Sequence, residues 1–363
     1  MAAATSLGGR KCRGGGVQRG GVMRRLIGGL TCGLALLFTA SVVNAVAQHP
    51  SWAYGFVDPP PAAGPAAAPA APAAAAAAAP DTTVHRIPGS TRSFTRAQAG
   101  DAYGPADWFP EEHPNPVPPI VANGRRDAAI NACGLCHYVG GRGRQENAGV
   151  AGLPYEYFVQ TMLDFKNDKR KSADPRKANT NRMILFAKAM TTEEIEASAR
   201  YFSAIAWKPN WIRVVETRMV PKTRPQNGVF VLLPGNETEP LGMRIVEGPE
   251  DVERFELRDP HSGFVAYAPV GSLKAGETLV KTGGGGKTVQ CGICHGATLE
   301  GSGPVPGLAG RDPSYVVRQL YDMQVGTRHG TWSALMKPVV EKLTAEDLVA
   351  IGAYLASVKP SGT

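Results

Sequence analysis

The same five-residue pattern occurs twice in one 363-residue chain, as Cys133-Gly134-Leu135-Cys136-His137 and Cys291-Gly292-Ile293-Cys294-His295. The two thiols of each pattern stand about one helical turn apart, so both reach the same edge of a group lying beside them, and the adjacent imidazole faces that group. The remaining cysteines, Cys12 and Cys32, fall in a basic and apolar leader, so no thiol is left over for a disulfide once the leader is removed. A thioredoxin-like redox pair and half of a zinc site are the competing readings. Duplication, an immediate histidine in both copies and the lack of further cysteines argue against both. The pattern that fits is covalent haem attachment, with Cys133, Cys136, Cys291 and Cys294 as thioether positions and His137 and His295 as proximal iron ligands.

Around the patterns lies a longer internal repeat. With His137 aligned on His295, Val150-Ala151-Gly152 matches Leu308-Ala309-Gly310, and Tyr157 matches Tyr315. Each tyrosine opens an apolar-periodic stretch that predicts a helix. Further on, Met183 precedes Thr191-Thr192-Glu193-Glu194 by the same interval that separates Met336 from Thr344-Ala345-Glu346-Asp347. Both threonine segments have the hydroxyl cap and first-turn acids of a helix start. A sixth iron ligand is then chosen by the repeat. Met183 aligns with Met336, whereas Met190 aligns with Leu343, Met162 with Leu320 and Met323 with Phe165. Met183 and Met336 are therefore the expected distal ligands, and His329 is the first alternative in copy two. A proximal histidine also needs a carbonyl acceptor for its other ring nitrogen. Pro306 is placed to present one, and Ala148 holds the aligned position.

The ends of the chain and the segment between the copies have different characters. Arg24-Arg25 precede an apolar run that closes on Ala45-Val46-Ala47, the form of a signal peptide over 1–47, with translation starting at Met1 or Met23. An uncleaved membrane anchor is the other reading of that run. The leader holds six basic residues and no acidic ones, leaving 33 basic against 31 acidic in the rest of the chain, and this balance supports no nucleic-acid partner. Residues 48–119 are expected to be an Ala/Pro-rich spacer and irregular strap. Residues 120–207 and 272–358 are the two haem domains. Between them, 208–271 carries short apolar or alternating runs at Val229–Leu233, Met243–Val246 and Phe264–Tyr267 that predict a small β-rich insert.

Both copies resemble class I c-type cytochromes, and their tandem arrangement resembles the di-haem cytochromes of the c4 type. The resemblance covers about 120–207 and 272–358 and leaves the insert and the strap outside it. It implies a mainly α fold, two tandem class I cytochrome c domains joined by a small β-rich insert, and two covalently bound haem c groups. It further implies a periplasmic carrier that passes single electrons between periplasmic or membrane-bound redox proteins and does no substrate chemistry itself. A di-haem enzyme of the cytochrome c peroxidase or thiosulfate dehydrogenase kind is the alternative, and an active-site haem there should lack a firm methionine ligand. Gly283-Gly284-Gly285-Gly286-Lys287-Thr288 only partly matches a phosphate-binding loop and is expected to be a flexible lead into the second motif. His49, His85, His113 and His261 are isolated and are expected to be surface or loop residues.

Overall fold

The computed structural model describes residues 47–57, 82–226 and 228–361; the expected leader, apart from Ala47, and the Ala/Pro tract at 58–80 lie outside them. Helix outweighs strand in the regular structure, and the two copies and the segment between them cluster as one unit.

The repeat is visible in the helix boundaries. The helices Tyr155–Lys166 and Pro313–Gln324 each run 12 residues and start two residues before the matched tyrosine. In the second, proline stands at the first turn, where its missing N–H is not needed. The helices Thr192–Ser203 and Ala345–Ser357 both begin with a complete capping box, Thr191 with Glu194 and Thr344 with Asp347. Hydroxyl and carboxylate there satisfy two otherwise orphaned N–H groups. The copies differ between these elements. Met183 lies within a 12-residue helix, Ala178–Ala189, and not on the methionine loop of the family pattern. Met336 ends a 3₁₀ turn, Thr331–Met336, followed by the short helix Lys337–Val340. Copy one has no glycine or proline between Ala178 and Ala189, whereas Gly330 and Pro338 interrupt copy two. Copies also differ ahead of the motif. In copy two, Ser272–Thr282 crosses Ala345–Ser357 so closely that a Cβ on Gly276 would stand 2.1 Å from the Ala350 carbonyl oxygen. Copy one has only the single turn Pro119–Ala122 there.

The two copies meet reciprocally. Lys171 N donates to Thr327 O and His329 N to Lys169 O, both at 2.9 Å, which joins two matched loops as an antiparallel bridge. Arg170 donates to Tyr315 Oη at 3.2 Å, and its repeat partner Arg328 donates to Tyr157 Oη at 2.9 Å. Contacts exchanged in this way define an approximate two-fold relation between the copies.

Among the described residues, seven strands lie between Ile212 and Ala268. Phe264–Ala268 is the centre of a three-stranded sheet, parallel to Ile212–Glu216 and antiparallel to Val246–Pro249. Ala266 and Ala268 pack with Ile245 on Val349 and Ala353 of copy two. The expected strand at Met243–Val246 starts only at Val246. Gly242 turns the chain at φ +64°, and Arg244 is drawn into that turn by the Leu241 carbonyl and Glu239. Upstream of the copies, Ile87, Ala99, Trp108 and Phe109 form a small core with Leu257, and Trp108 Nε1 donates to the Leu257 carbonyl at 2.9 Å. His113 is a loop residue, buried and not at the surface, with Nε2 3.1 Å from Asp107 Oδ1. Residues 47–56 are no spacer either. Tyr54 is fully buried in the copy-two core and donates to Asp322 at 2.7 Å.

Candidate haem sites

Both motifs occupy one short helix, Cys133–His137 in copy one and Gly292–His295, preceded by Cys291, in copy two. The four cysteines are free. Burial holds Cys133 in the thiol form, with its pKa pushed up to about 12, and raises Cys291 to about 11. The histidines are held alike. His137 Nδ1 lies 2.7 Å from Ala148 O, and His295 Nδ1 lies 2.7 Å from Pro306 O. A carbonyl can only accept, so each Nδ1 carries the proton and each Nε2 keeps a free lone pair. Burial lowers the pKa of both imidazoles, with the carbonyl bond opposing, which favours the neutral ring a metal needs.

In copy one these groups line a pocket with about 1230 Å³ of empty space, its open mouth included. Its wall is mostly apolar, with Phe158, Phe165, Phe186 and Leu153, and it contains Cys133, Cys136 and His137. Met162, Met183 and Met190 all reach it. Met162 and Met190 are core residues at 5% and 4% exposure, whereas Met183 is only partly buried. Arg170, Lys171, Lys177 and Arg318 also line the pocket, four basic side chains against the carboxylates of Glu146 and Asp322. Lys177 is buried and donates to the Tyr54 and Gly228 carbonyls, and burial, then Arg318, lower its pKa to about 7. An apolar slot lined in part by arginine and lysine suits a flat apolar ring bearing two carboxylates, which is the outline of a haem with its propionates. These residues fit the group.

Copy two presents its motif more openly. Cys294 is exposed, and Ile293 and Leu335 stand 69% and 76% exposed near it in sequence and beside Met336 respectively. Met336 and Met323 are partly buried against the same core as Cys291. His329 is exposed, with Nδ1 3.0 Å from the Gly326 carbonyl. Among the described residues no group of three or more His, Cys, Asp or Glu side chains is placed to hold a separate metal ion, and no helix is long and apolar enough to cross a membrane.

A duplicated Cys-x-x-Cys-His helix, each with its histidine locked to a carbonyl eleven residues on, defines a c-type haem protein. The chain is 33% identical over 88 residues to cytochrome c-554(548) of Halomonas halodenitrificans, covering 96% of that protein and 24% of this one. The chain therefore belongs to the c-type cytochromes. It also resembles cytochrome c4 of Azotobacter vinelandii, at 33% identity over 85 residues, and of Stutzerimonas stutzeri, at 36% over 87. Each match takes in 22% of this chain and spans 40% of the relative's length. Among solved structures, reduced cytochrome c4 from Pseudomonas stutzeri is similar at a TM-score of 0.39 and 20% identity, over 64% of this chain and 95% of that one. A thiosulfate dehydrogenase from Marichromatium purpuratum is similar at a TM-score of 0.43 and 25% identity, over 65% of this chain and 38% of that one. No family model matches the chain.

The sequence alone pointed to the motifs and the carbonyl acceptors but not to the arginine and lysine lining of the pocket. Arg170 lies in a loop matched to that of Arg328, after matched helices, and that alignment was the signal that could have found it.

Proposed function

We propose that this protein is a di-haem electron carrier in which Cys133, Cys136 and His137 hold one haem c and Cys291, Cys294 and His295 the other. Met183 and Met336 complete the two irons. The observation that carries the reading is the recurrence of the Cys-x-x-Cys-His helix and its 2.7 Å histidine lock in both copies. Haem iron would supply a reversible one-electron couple when bound, and thioether ligation by Met183 and Met336 would leave it closed to small ligands. The chain's own residues then have limited tasks. The carbonyls of Ala148 and Pro306 fix the imidazole tautomers and make them better donors. Arg170, Lys177 and Arg318 line the same pocket and would balance the negative groups of a haem held there.

The division into domains at 120–207 and 272–358, export of the mature chain to the periplasm behind the 1–47 leader, and redox proteins of that compartment as partners belong to the same proposal. Covalent attachment through both thiols suits an exported protein, since the thiols are consumed outside the cytoplasm. The test is a pair of variants of the holoprotein, Met183→Ala and Met336→Ala. Each is expected to open one haem to carbon monoxide at neutral pH and to remove half of the Met–iron charge-transfer band. A variant that keeps the full band refutes the ligand assigned to that copy.

A further inference from the structure

The two histidine locks are connected to each other through one side chain. The acceptor of His137 is the carbonyl of Ala148, and the next carbonyl, that of Gly149, accepts from Arg311 Nη1 at 2.7 Å. The acceptor of His295 is the carbonyl of Pro306, and the next carbonyl, that of Gly307, accepts from Arg311 Nε at 3.2 Å. A single guanidinium thus spans both loops at repeat-equivalent positions. From His137 to His295 the path is Nδ1–H to carbonyl, one peptide unit, the Arg311 fork, one peptide unit, and carbonyl to Nδ1–H. It contains four hydrogen bonds and is otherwise covalent.

The fork is held on all sides. Arg311 is 4% exposed, and its Cζ lies 3.8 Å from the centre of the Trp207 ring. Trp207 in turn donates to the Ala309 carbonyl at 2.9 Å. A Cβ on Gly149 would stand 2.5 Å from both the Trp207 ring and the Arg142 carbonyl, so only glycine brings this loop close enough for its carbonyl to meet the fork. The repeat partner of Arg311 is Leu153, so the bridge is built once, from copy two into copy one.

We infer that Arg311 is a positioning residue that couples the two proximal histidines and sets the rate of electron exchange between the two haems. The inference rests on the haem ligation proposed above. In the exchange, one iron is oxidised as the other is reduced by one electron, and no bond forms and no proton moves. An arginine suits the task because its planar fork offers two fixed N–H directions at once, which a lysine ammonium cannot reproduce across two loops.

The test compares the wild-type holoprotein with Arg311→Met and Arg311→Lys. Exchange is read from magnetisation transfer between haem methyl resonances in half-reduced samples, with haem content and both midpoint potentials measured on the same samples. Arg311→Met should slow intramolecular exchange about tenfold at matched driving force. Arg311→Lys keeps the charge and should also be slow. Wild-type exchange in either variant with two haems bound overturns the bridge, since charge or packing alone would then suffice. Fewer than two haems in the wild type refutes the ligation reading instead. Should Arg311→Met fail to fold, the Arg311→Lys rate and the wild-type Arg311 Nε proton decide the matter. Slow solvent exchange of that proton supports the bridge, and exchange as fast as an exposed arginine overturns it.

Discussion

At the scale of single residues, the buried charges set the pH behaviour. Glu247 sits on the strand Val246–Pro249 at 4% exposure and accepts from both the backbone N–H and the hydroxyl of Ser314. Burial first, then the nearby Asp312 carboxylate, raise its pKa to about 8, against the opposing Ser314 hydrogen bonds and Arg318. The folded protein therefore holds a proton on Glu247 that the unfolded chain releases near the ordinary carboxylate range. That contribution is fully present at low pH and is lost as pH rises through about 8. Lys177 has the opposite sign, because its lowered pKa makes folding gain stability as pH rises from about 7 toward the ordinary lysine value. Comparing Glu247→Gln with wild type separates the two. The variant should lose relative stability at about pH 5.5 no more than a conservative surface change does, and gain at about pH 8.5. Urea midpoints at both pH values check it, and an equal difference at the two values contradicts the assignment.

At the scale of elements, the capping boxes and the helix crossing hold copy two together. Thr344→Ala removes the acceptor for the Asp347 N–H and leaves the Asp347 carboxylate without the threonine hydroxyl. It should cost about 1 kcal/mol, measured by chemical denaturation of the holoprotein. These helix starts were legible in the chain because a threonine followed by an acid three residues on is a local signal with a local cause. The tyrosine helices were legible for the same reason, and the repeat supplied each prediction twice. The helix carrying Met183 was not, because copy two guided the expectation and copy two is broken there by Gly330 and Pro338. The burial of residues 47–56 was also hidden, since Trp52, Tyr54 and Phe56 are too few to show a period. Asp322 and Arg318, more than 260 residues away, are among the partners that make that segment part of a core.

At the scale of the whole molecule, the repeat generates both the fold and the site. Two copies related by an approximate two-fold bring Arg170 against Tyr315 and Arg328 against Tyr157, and Tyr315 and Arg318 of copy two reach the first pocket. The strands at 212–268 and the small core around Trp108 are not part of the repeat. They pack on both copies and on each other and contribute no ligand to either proposed iron site. What the chain alone could not show was the meeting of the two proximal loops on Arg311, because Gly149 and Arg311 become neighbours only after both copies have folded. Closure of both irons by methionine, as proposed, would make the protein a carrier in place of a peroxidase or thiosulfate dehydrogenase. The most direct measurement is a carbon monoxide difference spectrum of the reduced wild-type protein, taken with a haem count on the same sample. Two haems per chain and no carbon monoxide complex at neutral pH are predicted. A count other than two, or prompt binding at either haem, would contradict the account.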